Sequence, residues 1–204
     1  MTLSIVIATT LFSVAALQRR DLMYRFDLAP SKIVHNKQYY RIFTHALLHA
    51  DYIHLGINIL VLYSFGRAVE AIFMQLEQEG LIFSASFYYV LLYVTGIAFS
   101  SLTSIFRYRN NPAYSSIGAS GAVSAVVFTH IFFSPLDKVY FYGILPLPGI
   151  LFGILYLLYS SYMERRQQDN INHSAHFWGA VTGFLFPLLL EPGLIKVFIN
   201  QLRG

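Results

Sequence analysis

The chain has 204 residues, of which 56% are hydrophobic, 12% are charged and none is cysteine. Because ordinary soluble domains carry about 25% charged residues, this composition indicates a polytopic membrane protein, and the length suits one domain. Disulfides and thiolate metal sites are excluded, and a net charge of +4 without a Lys/Arg cluster indicates contact with lipid headgroups rather than nucleic acid.

Six apolar segments each approach the ~20 residues that cross ~30 Å of hydrocarbon. They cover about residues 2–17, 54–74, 81–106, 115–134, 139–162 and 173–190. The first segment lacks a charged leading region and an Ala-x-Ala cleavage site, so we interpret it as a retained span. Lys196 to Gly204 reads as a short tail. The sequence therefore predicts an all-α bundle of six transmembrane helices, forming a single domain over residues 1–204.

The segment between the first two spans, residues 18–53, carries most of the charge and several aromatic side chains. Mixed aromatic and cationic residues are typical of the membrane interface. We therefore predict a structured interfacial loop here rather than a linker.

The distribution of cations bears on orientation, because six spans place both termini on one side. Loops after the odd-numbered spans carry ten cations and the opposite side carries four. The two sets are Arg19, Arg20, Arg25, Lys32, Lys37, Arg41, Arg107, Arg109, Arg165 and Arg166, against Arg67, Lys138, Lys196 and Arg203. By the positive-inside rule this count favours termini outside.

His54 and Asn58 are four residues apart on the second span, so both project from one helix face. Polar groups at membrane depth are costly unless they have partners or contact water. One interpretation is hydrogen bonding between helices. The other is an oxyanion site, because N–H donors fixed on a helix reorganise little, and one such donor lowers a barrier by ~3 kcal/mol.

Ser120 heads the fourth predicted span, and His176 lies in the first turn of the sixth. Small residues follow Ser120, and the sixth span carries Ala175, Gly179 and Gly183 at four-residue spacing, a ridge that permits close helix approach. If these surfaces pack together, Ser120 meets His176. Taken singly, Ser120 is better explained as a packing residue and His176 as a capping or interfacial histidine, but the matching ridges favour a catalytic pair.

A serine hydroxyl is a weak nucleophile until a base takes its proton, and neutral imidazole is the usual base near pH 7. No acidic residue lies within the spans near their Ser120 end, so the sequence predicts a Ser–His dyad without a carboxylate. The backbone N–H of Ser120, at a helix start, can join the oxyanion site. His45 and His49 have i, i+4 spacing but lack the glutamate of the zinc-protease motif, so we predict no metal site.

These residues resemble the motifs of the rhomboid intramembrane serine proteases, and the resemblance covers about residues 1–190. The matching motifs are Tyr40-Arg41, His49 followed by His54-x-x-x-Asn58, Gly66…Glu70, Gly118-Ala-Ser120-Gly121 and Ala175-His176-x-x-Gly179-x-x-x-Gly183. The Gly-x-Ser-Gly motif is weak alone. Together with two histidine motifs, on the second and sixth of six spans, the set is highly specific.

The resemblance implies a role for each matching residue. Ser120 would be the nucleophile and His176 the general base, while His54, Asn58 and the Ser120 amide would hold the oxyanion. Structural support would come from Gly118, Gly121, Gly179, Gly183, Arg41 and Glu70. The implied fold is a compact six-helix bundle with a short fourth helix and a water-filled cavity. No cofactor is expected.

The resemblance also implies partners and location. Substrates would be single-span membrane proteins, cut near small residues in helix-weakening stretches. The fifth helix, about residues 156–163, would act as a gate, and the loop 164–172 as a cap. Bacterial members keep both termini in the cytoplasm and open the site outward. This implies a multi-pass protein of the bacterial cytoplasmic (inner) membrane, in the orientation opposite to the charge count.

Two positions depart from the family pattern. Tyr40 stands before Arg41 where the family often has Trp, a mild change at an interfacial anchor. Ser124 stands where some members carry a tyrosine, four residues after the nucleophile, that stacks on the histidine. We therefore expect His176 to be held less firmly, or by another aromatic such as Phe177 or Trp178.

Two other function classes are compatible with an apolar, polytopic chain. An inactive rhomboid relative that binds membrane clients would lack the serine or the histidine, and both are present. A small transporter or channel would show membrane-embedded acids or an internal repeat, and neither is evident. The sequence therefore favours hydrolysis of a peptide bond by Ser120 and His176.

Overall fold

The computed structural model describes residues 1–141, 144–166 and 171–203 and is mostly helical. Two 3-10 turns, His45–Leu47 and Pro192–Leu194, accompany the α-helices. The α-helices are α1 Thr2–Gln18, α2 Arg20–Phe26, α3 Pro30–Asn36, α4 Arg41–Thr44, α5 Tyr52–Gln78, α6 Ala85–Tyr108, α7 Ser120–Phe133, α8 Gly149–Arg166, α9 His173–Leu190 and α10 Ile195–Arg203, and the strands are β1 Lys138–Phe141 and β2 Leu145–Pro148.

Helix α7 is the centre of the bundle, packed by α5, α6 and α9. Its residues are buried almost throughout, from Gly121 to Phe133 except His130. It is also short, since its 14 residues span about 21 Å at 1.5 Å per residue. Because Ser120 is the first residue of α7, the position of this helix sets how deep the hydroxyl lies in the protein.

Glycines bring α9 into backbone contact with α7. A Cβ added at Gly179 would lie 2.1 Å from the Gly121 carbonyl oxygen, and one at Gly183 would lie 1.9 Å from the Ala125 carbonyl oxygen. Thr129 of α7 also donates its hydroxyl to the Gly183 carbonyl, at 2.8 Å. The small ridges of the two helices therefore pack against each other at a distance that no larger residue would allow.

By length and composition, α5 and α6 can each cross a membrane. A third candidate is α9 taken together with the segment Pro192–Arg203, although the two are bent by 115°. Helices α1 and α7 are apolar but shorter than a usual span. The described residues thus contain two or three candidate spans by these criteria, and the six-span arrangement stays a prediction.

Two segments differ from the sequence prediction. The predicted span 139–162 begins instead as an antiparallel hairpin of β1 and β2, and helix α8 starts only at Gly149. Pro146 and Pro148 explain the difference, because a proline has no N–H for a helix interior and disfavours helix in the residue before it. The prediction of a short tail over 196–204 is wrong for residues 196–203, which belong to the strongly amphipathic helix α10. Phe198 of this helix packs on Phe132 and Phe184.

The interfacial segment folds into the short helices α2 to α4 and contacts the bundle through α3 and α4. Its anchor is Arg41, which is buried, pairs with the Asp27 carboxylate, and donates to the Asp27 carbonyl at 3.0 Å and the Tyr24 carbonyl at 3.2 Å. A buried guanidinium with these partners is expensive to disrupt. Arg41 therefore ties together a segment that has little helix of its own.

Candidate active site

Ser120 and His176 are brought together by the contact of α7 with α9. The Ser120 Oγ lies 2.8 Å from the His176 Nε2, within hydrogen-bond distance, although the two residues are 56 positions apart. Both residues are half-buried. A hydroxyl and an imidazole in this relation can exchange a proton.

The first turn of α9, which carries His176, is held by polar contacts at its N-terminus. Asn172 caps the helix by accepting the Ala175 N–H at 3.1 Å, and its amide donates to the Ser104 hydroxyl of α6 at 2.9 Å. The Glu164 carboxylate accepts the Ser174 N–H at 3.1 Å. Asparagine is a favoured N-cap, so Asn172, just before the span predicted over 173–190, is itself a sequence signal for the start of this helix.

The loop before Ser120 is shaped by Gly118, whose φ of 128° is a conformation that side chains rarely adopt. A Cβ at Gly118 would lie 3.0 Å from the His54 ring and 3.8 Å from the Ser120 Oγ. Gly118 thus lies between the imidazole of His54 and the serine hydroxyl. Any side chain there would fill the space where the two converge.

The interfacial segment holds this same loop, which sequence reasoning did not foresee. The Gly118 N–H donates to the His45 carbonyl at 3.0 Å. Leu28 and Ser116 exchange backbone hydrogen bonds of 2.9 and 3.1 Å. Residues 28 and 45 of the polar segment therefore act as a backbone frame for the residues that precede Ser120.

His45 itself is a neutral structural residue in this frame. Burial lowers the pKa of the His45 imidazole to about 4. Its Nδ1 lies 3.1 Å from the Arg41 carbonyl oxygen, which can only accept, so Nδ1 carries the proton. His45 thus extends the anchoring role of Arg41 to the loop before the serine.

His54 and Asn58 lie on the first turns of α5, facing the same cavity as Ser120. Asp51 caps α5 and accepts the His54 N–H at 2.7 Å. The Ala50 N–H points to the His54 Nδ1 at 3.4 Å, so a neutral ring carries its proton on Nε2. The Asn58 amide donates one hydrogen to the His54 carbonyl at 2.9 Å, and its second hydrogen is a further donor.

These side chains line a cavity of about 1140 Å³. The apolar part of the wall includes Ile57 and Val61 of α5 and Phe152 of α8, while serines 100, 101 and 104 of α6 supply hydroxyls. Polar, roomy cavities hold water, whereas apolar ones stay dry. The cavity therefore combines a surface for an apolar chain with groups that can retain water near Ser120.

Tyr156 of α8 stacks on the His176 ring, a contact that the sequence had suggested for Phe177 or Trp178. Its ring lies 6.2 Å from the imidazole between centroids, with 20° between the planes. The Tyr156 hydroxyl is 2.7 Å from the Ser124 Oγ. Phe177 and Trp178 instead form an edge-to-face pair with each other. Sequence reasoning assigned Tyr156 to the gate but missed this contact, because a ring from another helix leaves no local signal.

The remaining predicted support residues divide between the site and the opposite half of α5. Gly121 lies against α6 as well as α9, since a Cβ there would lie 2.3 Å from the Ser100 hydroxyl. Glu70 lies far along α5 and accepts from Arg67 at 3.3 Å and from the Thr2 N–H at 3.4 Å. Glu70 therefore joins α1 to α5 rather than contributing to the cavity. The predicted cap loop 164–172 lies partly outside the described residues, which omit 167–170.

These features define a class: a mostly helical protein with long apolar helices around a polar cavity that holds a serine–histidine contact. A family model described as the Rhomboid domain matches residues 36–192, which is more than half of the chain. The chain belongs to the rhomboid family, and it is an integral membrane protein.

One curated relative gives a more distant comparison. Over 143 residues the chain is 29% identical to RHOMBOID-like protein 12, mitochondrial, of Arabidopsis thaliana. The matched region covers 67% of this chain and 42% of that protein. The chain therefore spans less than half the length of this relative.

Proposed function

We propose that this protein is an intramembrane serine endopeptidase that hydrolyses peptide bonds in or near transmembrane segments through a dyad of Ser120 and His176. The observation that carries the proposal is the 2.8 Å contact between the Ser120 Oγ and the His176 Nε2 inside a partly polar cavity. Membership of a family that generally consists of proteases supports it. An inactive relative would have no reason to keep the two groups in contact.

In the proposed first step, Ser120 Oγ attacks the carbonyl carbon of the scissile bond while His176 Nε2 takes the hydroxyl proton. The tetrahedral intermediate collapses when the imidazolium gives that proton to the leaving nitrogen, which releases one fragment and leaves an acyl-serine. A water from the cavity then attacks the ester, with His176 again accepting and returning a proton. The serine is restored, and the second fragment leaves as a carboxylic acid.

The negative oxygen of the tetrahedral intermediate needs hydrogen-bond donors that are already in place. His54 Nε2, the second amide hydrogen of Asn58 and the Ser120 N–H are proposed as these donors. Three local features support the assignment: the Ala50 N–H leaves the proton of His54 on Nε2, Gly118 keeps the space open, and the first N–H groups of a helix have no intrahelical partner.

The proposed substrates are single-span membrane proteins, because the cavity has an apolar side lined by α5 and α8 and lies in a membrane protein. An extended segment is required at the dyad, since a scissile carbonyl inside a helix is shielded by its own hydrogen bonds. Small and helix-weakening residues near the cleavage site would therefore favour cutting.

The test is cleavage by the purified protein in liposomes. Suitable probes are dye-labelled single-span proteins, in matched pairs with and without a Gly-Pro pair in the transmembrane segment. Cleavage of the helix-weakened member, with a new fragment end mapped by mass spectrometry, is the expected result. A folded protein that cuts neither member of several such pairs would contradict the proposal.

We expect His54→Ala and Asn58→Ala each to slow turnover by about 10²-fold, because each removes a donor that acts on charge formed only in the transition state. The loss should appear in kcat with little change in KM. His35→Ala, at an exposed histidine outside the cavity, is the matched control and should keep parent turnover. Unchanged kcat in both cavity variants would remove the oxyanion role.

We further propose that α1, α5, α6, α7, α8 and α9 all span the membrane, with both termini in the cytoplasm of a bacterial cell and the cavity opening outward. The charge count favours the reverse, and six of its ten cations lie in the interfacial segment. That segment is folded onto the bundle, and Arg41 is buried within it. Its six cations therefore count for less in the positive-inside rule than cations in an exposed loop.

A reporter fused after Gly204 tests this orientation. We expect a green fluorescent protein fusion to be fluorescent and an alkaline phosphatase fusion at the same position to be inactive, because only the first folds in the cytoplasm. Fusions within the connection between α5 and α6 serve as controls on the same side. Strong phosphatase activity after residue 204 would reverse the assignment.

A further inference from the structure

We infer that Tyr156 is a positioning residue that holds the His176 imidazole in line with Ser120, so that alignment of the pair depends on the seating of α8. The inference rests on the proposed function, because it concerns the same serine and histidine. It assigns to α8 a part in the chemistry that neither the motifs nor the family match specify.

Tyr156 restricts the imidazole from one face. The ring planes are 20° apart with centroids at 6.2 Å, an offset stack within the range of favourable aromatic contacts. His173 lies against the same imidazole edge-to-face, at 6.0 Å and 77°. The ring of His176 is therefore bordered on two sides by aromatic groups, of which the tyrosine supplies the parallel surface.

Tyr156 is in turn held by the helix of the nucleophile. Its hydroxyl lies 2.7 Å from the Oγ of Ser124, which is buried one turn after Ser120 in α7. One tyrosine therefore joins three helices: it belongs to α8, hydrogen-bonds to α7 and stacks on the imidazole of α9. Serine at position 124 makes this arrangement possible. Its side chain can hydrogen-bond to the tyrosine hydroxyl, and a larger side chain would occupy the place of that hydroxyl.

Helix α8, which carries Tyr156, lies at the periphery of the bundle. It packs mainly on α9, while Leu155, Leu158 and Tyr162 on its other faces are exposed. Ser120 and His176 are fixed by the glycine contacts of α7 with α9, but the ring behind the imidazole is carried by a helix outside that contact. Displacement of α8 by a bound chain would therefore remove support from the base, and reseating would restore it.

The experiment compares Tyr156→Leu, which removes the ring, with Tyr63→Leu, the same change at an exposed tyrosine of α5 outside the cavity lining. Two rates are measured for the full chain in detergent: cleavage of the helix-weakened substrate, and labelling of Ser120 by a small fluorophosphonate. The probe reports activation of the serine without requiring a protein substrate to enter. Thermal unfolding of each variant is followed in parallel.

We expect Tyr156→Leu to lower both the labelling rate and kcat by about 10- to 100-fold, as for a base displaced from its productive geometry, with KM within about twofold. Tyr63→Leu should match the parent in both rates. If Tyr156→Leu labels as fast as Tyr63→Leu while Ser120→Ala is inactive, the positioning role is overturned and the proposed function stands. Loss confined to KM would also overturn it, by assigning Tyr156 to substrate entry. If Ser120→Ala also cleaves, the proposed function itself fails.

The hydroxyl pair provides a second, milder test in case Tyr156→Leu does not fold. Tyr156→Phe keeps the stacked ring, so its labelling rate should stay within about threefold of the parent, since one neutral hydrogen bond is lost. Ser124→Ala should cost more, because it leaves the tyrosine hydroxyl without its partner. In the Ser124→Ala background, Tyr156→Phe should add no further loss. Fully additive losses would show that the two hydroxyls do not act together and would contradict the inference.

Discussion

Ser120→Ala should reduce cleavage at least about 10³-fold, to the background of the assay, because the replacement has no group that can form the acyl intermediate. His176→Ala should give a loss of the same order, and the double variant should lose little more, since the two groups act as one unit. The fluorophosphonate should label the parent and not Ser120→Ala. Both rates are measured on protein reconstituted in liposomes at matched concentration.

The control for this loss is Ser64→Ala, which makes the same chemical change on an exposed face of α5. Among the residues that the structure describes, the Ser64 hydroxyl bonds to the Leu60 carbonyl of its own helix. The Ser64→Ala variant should therefore cleave the substrate at the parent rate, and all variants should unfold at similar temperatures. If Ser120→Ala cuts at the parent rate while it remains folded, another nucleophile is at work.

Gly183→Ala should lower the free energy of unfolding by about 2–3 kcal/mol, the range of overpacking in a close-packed core. The new Cβ would meet the backbone at Ala125, with the carbonyl oxygen at 1.9 Å and its carbon at 2.5 Å. Backbone cannot rotate away as a side chain can, so α9 must move off α7 and lengthen the hydrogen bond from Thr129 to the Gly183 carbonyl. Because His176 lies on α9, we also expect cleavage to fall by more than about tenfold.

Gly56→Ala is the matched control, since it adds the same methyl group to a helical glycine. A Cβ at Gly56 would meet no described residue within 4 Å, so stability should stay within about 1 kcal/mol of the parent, with alanine favouring the helix. Thermal unfolding in detergent and the cleavage rate are measured for both variants. Equal stability of the two alanine variants would contradict the close contact of α7 with α9.

Parts of the candidate site were predictable because they depend on local spacing. Gly179 and Gly183 are four residues apart, which places them on one face of any α-helix, and His54 and Asn58 share a face for the same reason. The family match over residues 36–192 agrees with the resemblance inferred from these motifs. The membrane class followed from composition, which needs no knowledge of packing.

Other parts were beyond the sequence because they depend on which segments meet. The hairpin before α8 interrupts a segment that is apolar enough to be predicted as one membrane span. Its prolines are the sequence signal against a continuous helix there. The amphipathic helix α10 was not predicted, because a hydrophobic pattern over nine residues is a weak signal by itself. Its helical face becomes evident from the packing of Phe198 on Phe132. The backbone bonds from Leu28 and His45 to the loop before Ser120 involve no side-chain signature.

The sequence by itself determined the class of protein, the small-residue faces of α7 and α9, and the residue types that can act as nucleophile, base and oxyanion donors. These are properties of composition and of helical repeat, which any helix of this sequence would retain. The tertiary structure alone decided how the groups are aligned: which ring lies behind His176, and what holds the loop before Ser120. Both contacts join segments distant in the chain, and only the packing of α8 and of the interfacial segment on the bundle brings them within reach.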